Sequence, residues 1–303
     1  MSKYIAIISM HRSLIIIGIC ILSVTHTFGQ LSDLVRVDFT HIPKGKSDKE
    51  YNRIRALLNY PIKLKKDKYL FLGLDYSTIE LNFNDEIIGF EKSKIADFKL
   101  LDFNIGYTFL MKNDWRFAAR LTPGFSSNLS AKAIRIDDVV FSTAILFIKD
   151  KKEDDLTTKP YRLILGISYS ENRGIPFPIP FVSYYRKFHP KWSYNIGVPK
   201  TNLQYHFSKK SRFKLVFQLD GFTSNIQEGL LVNNIDEAKI LNVSLITGGL
   251  QYEYKLAEHV EFFANASYIL NNAVNLRDRK LKTIATLNNK NTFYMRSGFR
   301  YKI

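Results

Sequence analysis

The feature that most restricts this chain is the strict alternation of its last eleven residues, Phe293 to Ile303. Phe293, Met295, Ser297, Phe299, Tyr301 and Ile303 fall on one side of an extended strand; Tyr294, Arg296, Gly298, Arg300 and Lys302 fall on the other. A soluble antiparallel sheet can carry the same alternation. Here the strand is long enough to cross a bilayer while tilted, and the sequence ends on it. The reading is a membrane strand with apolar side chains toward lipid and charged ones toward an enclosed interior.

The other end predicts export. Leu14 to Val24 is an apolar run preceded by Arg12 and followed by Thr27-Phe28-Gly29. That pattern is a secretory signal peptide over residues 1–29, cleaved after Gly29, and too short for a spanning helix. Tyr4 to Ile8 is a second apolar stretch, which makes Met10 an alternative start to Met1. The only cysteine, Cys20, follows Ile19, which is not the small residue that lipidation requires. Chain 30–303 then holds no thiol, which excludes disulfides, thiolate metal sites and cysteine nucleophiles. Its formal charge is +14, the +16 of the whole sequence less Lys3 and Arg12. For an exported protein that balance points to lipopolysaccharide phosphates, anionic solutes or an acidic partner, and away from nucleic acid.

No second apolar stretch would make a helical span, so a membrane protein of this composition must be a closed barrel. Short polar breaks fall at Lys65–Lys68, Lys112–Asp114, His189–Lys191, Ser208–Ser211 and Leu256–His259. Longer ones fall at Ser77–Asp97, Ser126–Asp138, Ser224–Ala238 and Asn271–Lys290. Alternating short turns and long loops predict one all-β domain over 30–303, a transmembrane antiparallel up-and-down barrel of about fourteen strands. Both chain ends are placed on the periplasmic side. If Trp192 to Phe207 runs straight through Val198–Asn202, the count falls to twelve. Val139 to Ile148 and Phe181 to Phe188 have no readable faces.

At interior parity stand Arg36, Arg53, Arg55, Arg116, Arg120, Arg162, Arg296 and Arg300, with Asp38, Asp75, Asp102 and Glu261 among them. Such arginines favour an anion path, or pair with the acids and fill the bore. Pro176, Phe177, Pro178 and Pro180 mark an external segment, read either as a lid or docking surface or as a blunted strand edge. His206 and Ser208 have a hydrolase-like spacing, but Ser208 opens a short turn on the wrong side for a lipid substrate. His259 and Glu261 lack further metal partners. Gly248-Gly249 relieves curvature inside a strand. No catalytic residue, metal or cofactor is expected, and no segment ahead of the first strand is large enough for a plug.

The Gln30 start, Pro180 to Tyr185, Trp192 to Leu203 and Leu219-Asp-Gly-Phe resemble an uncharacterised family of Bacteroidetes outer-membrane β-barrel proteins. The resemblance implies fold and outer-membrane location, and carries over no functional residue. The leading expectation is a non-enzymatic, passive channel for small anionic solutes. The alternative is a non-conducting structural or accessory barrel docked to a larger envelope complex, and a lipid-modifying enzyme is a distant third. Expected partners are outer-membrane lipids including lipopolysaccharide, the barrel assembly machinery and an envelope protein.

Overall fold

The computed structural model describes residues 33–45, 49–83, 90–151, 160–172, 174–175, 177–233, 235–287 and 290–302. The signal segment 1–29, with Met10 and Cys20, lies outside the described residues, as does Pro176.

Fifteen strands follow one another: β1 (Val35–Ile42), β2 (Lys49–Lys65), β3 (Lys68–Phe83), β4 (Asp97–Leu110), β5 (Trp115–Ser127), β6 (Val139–Lys151), β7 (Tyr161–Ser170) and β8 (Ile179–His189). Next come β9 (Trp192–Val198), β10 (Lys200–His206), β11 (Ser211–Val232), β12 (Asp236–Lys255), β13 (Val260–Arg277), β14 (Thr283–Thr286) and β15 (Phe293–Tyr301). Each wall strand pairs antiparallel with the next, and β15 closes the ring by pairing Phe299 with both Val37 of β1 and Phe262 of β13. The four-residue β14 pairs only with the far end of β13, so the closed wall has fourteen strands. The uncertain stretch from Trp192 is a true hairpin, turning at a cis Val198–Pro199 bond, and this removes the twelve-strand alternative.

Burial is inverted relative to a soluble sheet. Val37, Leu58, Leu74, Phe103, Ile105 and Phe299 are exposed, while Asp38, Arg55, Asp75, Asp102 and Asn104 are buried inside. At this height alternation gives the correct faces, with apolar side chains out and charged ones in. Even the unreadable β6 fits: Phe141, Ile145 and Phe147 face out, and its inward set is apolar too, with Ala144 and Ile148 buried.

The long breaks require correction. Ser224–Ala238 is the upper part of a β11–β12 hairpin, β3 runs on to Phe83, and β13 runs on to Arg277. Their polar residues read as loop because the face rule flips above a certain height. On β3 the inward residues change from Asp75 and Ser77 to Ile79 and Leu81, while the outward ones change from Leu74 and Tyr76 to Glu80 and Asn82. On β4 the inward series passes from Asn104 and Asp102 to Leu100 and Phe98. On β11 it passes from Lys214 and Asp220 to Phe222 and Ile226. Below the flip the outer surface has the pattern of a sheet meeting hydrocarbon; above it, that of a sheet meeting water.

The upper strands thus bury an apolar cap of their own. Tyr51, Ile79, Phe98 and Leu100 on β2 to β4 join Phe222, Ile226, Leu241 and Val243 on β11 and β12, with Ile269, Val274 and Tyr294 beside them. Gly221 (φ +141°) allows β11 to bend inward, since a Cβ there would lie 2.1 Å from the Val243 carbonyl oxygen. Beyond the bend β11 crosses the mouth. Asn225 bridges to Ser127 of β5, and the Asn225 and Gln227 side-chain amides donate to Asp138 at 2.7 and 2.6 Å.

Two outcomes follow from this inverted burial. Ile105→Arg, on the lipid face, should cost about 2–4 kcal/mol of folding free energy in bilayers. Phe222→Ala, in the cap, should cost about 3–5 kcal/mol. Reversible urea titrations of the refolded protein in vesicles measure both.

Candidate functional site

The space inside the ring is layered along its axis. Beneath the apolar cap lies a paired layer. Arg296 donates to both carboxylate oxygens of Asp38 at 2.8 and 3.0 Å, and Arg36 stands 2.9 Å from the same group. The Tyr294 hydroxyl donates to Asp220 at 2.6 Å, while Arg53 donates to Ser77 Oγ at 3.1 Å and stands 3.7 Å from Asp220. Arg55 holds Asp75 with both arms of its guanidinium, and Asn172 donates to Asp102 at 2.7 Å. Cross-strand register sets the near pairs, Arg296 diagonal to Asp38 and Arg55 diagonal to Asp75, whereas Asp220 of β11 meets Arg53 and Tyr294 across the bore.

Nearer the chain termini the balance changes. Glu253 meets Lys214 at 2.8 Å, Arg300 at 2.7 Å and Arg212. Glu261 meets Arg212 and Arg300 at 2.6 Å and Lys302 at 3.2 Å. Two carboxylates thus share four cations, and Lys200 adds a fifth, its Nζ 3.3 Å from the Gln251 amide oxygen. In this half Ser183, Lys187, Asn195 and Lys214 keep some exposed surface, while Ser193, Gln251 and Glu253 are buried. A cationic cluster therefore fills this half of the interior, beneath the apolar cap.

The eight arginines expected inside separate into three kinds. Arg36, Arg53, Arg55, Arg296 and Arg300 belong to the ion-pair layers. Arg116 and Arg162 lie near the terminal rim, Arg116 donating to the Asp67 carbonyl at 3.3 Å and covering the Tyr69 ring, Arg162 standing 3.9 Å from Asp150. Arg120 stands apart. Its register between Gly106 and Ala144 directs it inward with Thr122, its side chain is exposed, and among the described residues it makes no side-chain hydrogen bond or ion pair. Arg212, Lys200, Asp220 and Glu253 were not among the candidates. Lys214 and Asp220 share the inward parity of β11, but only cross-strand register brings Lys214 and Arg212 to Glu253 and Asp220 to Arg53.

Other candidate positions resolve differently. His206 does not engage Ser208, whose Oγ accepts backbone N–H bonds from Lys210 and Ser211 within the turn. Its Nε2 lies instead 2.8 Å from Ser193 Oγ, a serine with no exposed surface and so out of reach of a substrate carbonyl. His259 Nδ1 lies 2.9 Å from the Lys302 carbonyl, and among the described residues no His/Asp/Glu cluster could hold a metal ion. Gly248 and Gly249 sit where a Cβ would strike the Phe217 ring and the Ala266 carbonyl, so close strand approach accounts for them.

The proline segment begins inside the rim. The Asn172 carbonyl accepts the Thr223 N–H at 3.0 Å and the Gly174 carbonyl accepts from Asn242 at 2.7 Å, bracing the bent part of β11. Phe177 is 59% exposed. Pro180 lies on β8 above Val182, where pairing with β9 stops, so Ile179–Phe181 pairs with β7 alone. Outside the short β9–β10 hairpin, Tyr194, Ile196, Leu203, Leu215 and Phe217 line a lipid-side furrow of about 300 Å³.

Residues 40–302 match the family described as a domain of unknown function, DUF6268. This chain belongs to that family. No curated protein matches the DUF6268 chain. Among solved structures it is similar in architecture to the KdgM porin in complex with disordered oligogalacturonate (8% identity, TM-score 0.38, covering 89% of this chain and 99% of that one). It is likewise similar to the NanC porin (8%, 0.39, 89% and 100%) and to the P. putida toluene transporter TodX (11%, 0.36, 88% and 87%). Likeness at this level concerns the barrel alone.

The split among arginines is measurable. Arg296→Ala strips the buried Asp38 of its two-pronged partner and leaves it Arg36 alone, and should destabilise the DUF6268 barrel by about 2–3 kcal/mol. Arg120→Ala removes no pair and should change stability by less than about 0.5 kcal/mol. Urea titration of both variants side by side checks the difference.

Proposed function

We propose that this DUF6268 protein is a non-enzymatic outer-membrane channel for small anionic solutes, shut at its outer mouth in the conformation described. Its setting is a Gram-negative envelope of the Bacteroidetes type, reached through the signal peptide and the barrel assembly machinery. The observation that carries the reading is the cluster around Glu253 and Glu261, where cations outnumber carboxylates inside the low-dielectric wall of the barrel. Such a wall raises the local concentration of anions. Arg120, with its guanidinium uncommitted among the described residues, is assigned the direct contact with a passing anion.

Passage needs the cap to part. The cap is a packing contact between the bent β11–β12 hairpin and β2 to β4, with no covalent tie, and Gly221 supplies the bend. A second reading has one specific observation in its favour: Asp38, Asp75, Asp220, Glu253 and Glu261 all have cationic partners, the arrangement of a bore filled for rigidity. On that reading the protein is a non-conducting accessory barrel.

Planar-bilayer recording separates the two. Native protein should show rare, small conductance steps with an anion-selective reversal potential. Phe222→Ala should open the mouth and raise the time spent conducting at least severalfold, and adding Arg120→Ala should reduce anion preference without abolishing the steps. Silence from the native protein and from the cap variant alike would leave the accessory reading standing.

A further inference from the structure

The two rims of the barrel differ in charge, and the channel reading makes no use of the difference. On the rim that carries the chain termini, nine described lysines are exposed against two exposed acids, Asp114 and Glu258. On the opposite rim and upper strands, eight exposed lysines and arginines face seven exposed acids, a near-balanced surface. The terminal-side lysines recur around the ring. Lys65, Lys66 and Lys68 occupy the β2–β3 turn, Lys209 and Lys210 the β10–β11 turn, and Lys112, Lys191 and Lys255 three other turns.

A second feature marks the height of this collar. Just inside it, outward aromatic side chains touch from strand to strand: Phe109 with Phe117 (5.2 Å between ring centres), Phe117 with Phe147 (5.6 Å), Trp192 with Tyr205 (4.8 Å) and Phe213 with Tyr252 (4.9 Å). Phe262 and Phe299 continue the band at 5.4 Å. Aromatic rings at a barrel's edge sit at the level of the lipid head groups. The lysines one turn further out therefore stand at the depth of phosphate, on flexible stems that can reach along the wall. A solvated ring of like charge would repel itself with no gain. Anionic lipid relieves that repulsion, because surface lysines gain on the order of fivefold in affinity each beside an anionic bilayer.

We propose that the lysine collar is a binding surface for anionic phospholipid head groups of the leaflet facing the chain termini, holding a shell enriched in acidic lipid. The proposal needs only that the barrel sits in a membrane, and it survives if the pore never conducts.

Both tryptophans of the chain, Trp115 and Trp192, begin strands at this rim, which makes their fluorescence a local reporter. The purified full-length protein, produced by membrane insertion in a Gram-negative host, is reconstituted in vesicles mixing phosphatidylcholine with brominated phosphatidylglycerol, or the reverse. Expected is quenching that gives phosphatidylglycerol a severalfold association preference at low salt, lost at high salt. The preference should fall toward unity in a Lys65→Gln, Lys66→Gln, Lys209→Gln, Lys210→Gln variant. It should persist in Lys132→Gln, Lys280→Gln, Lys282→Gln on the opposite rim. Equal quenching by the two brominated lipids in the native protein overturns the proposal, as does a preference indifferent to the collar variant. A native protein that binds a soluble polyanion through these lysines while showing no lipid preference also overturns it. Should the quadruple variant fail to insert, salt titration of the native protein decides.

Discussion

Backbone hydrogen bonding in hydrocarbon is the constraint from which the rest of this molecule follows. Lipid offers no partner for an open N–H or carbonyl, so a sheet that crosses a bilayer must close on itself. The closure here is one seam, β15 held between β1 and β13, with Phe299 paired to Val37 on one side and Phe262 on the other. Once the ring is shut, every inward side chain faces the same narrow space. Charges then have to find one another, and they do so through register: Arg296 with Asp38, Arg55 with Asp75, Lys214 with Glu253.

Much of this was legible in the amino-acid order because lipid imposes a simple alternation. The outward rows on β2, β4, β7 and β13 and the fourteen-strand count needed nothing more than a period of two and turn residues. Where water replaces lipid the rule reverses, and there the reading failed. Ile226, Leu230 and Val232, set among Ser224, Asn225 and Gln227, look like loop to anyone expecting apolar residues to point out. The change of phase at Asp220-Gly221 is present in the sequence, and it marks the height at which the inward face of β11 turns apolar.

The interior was half legible for a related reason. Parity says that a residue points inward; it is silent on which others it meets. Arg120 and Arg296 are equivalent by that test, yet one makes no side-chain hydrogen bond or ion pair among the described residues and the other is clamped by two carboxylates. The dense cluster around Glu253 and Glu261 draws on β11, β12, β13 and β15, whose heights relative to one another are set by hairpin lengths. The spacing of His206 and Ser208 misled because, two apart on extended chain, they share a side only while the strand lasts. The strand ends at His206, and Ser193 on the next strand becomes its neighbour.

The seven-residue β9–β10 hairpin has a consequence beyond the protein itself. Seven residues rise about 24 Å along a strand, and a 45° tilt leaves roughly 17 Å of height, against an apolar belt of about 25 Å in barrels of this type. The wall is therefore low across this sector, and by the same arithmetic the eight-residue β1 reaches only about 19 Å. Surrounding acyl chains must shorten, splay or bend over the hairpin's crest to cover it, a deformation with a cost for every ångström of mismatch. The furrow between Tyr194 and Phe217 lies where that deformation is greatest. A bilayer around this barrel would in consequence vary in thickness about the ring, thinnest beside its short strands.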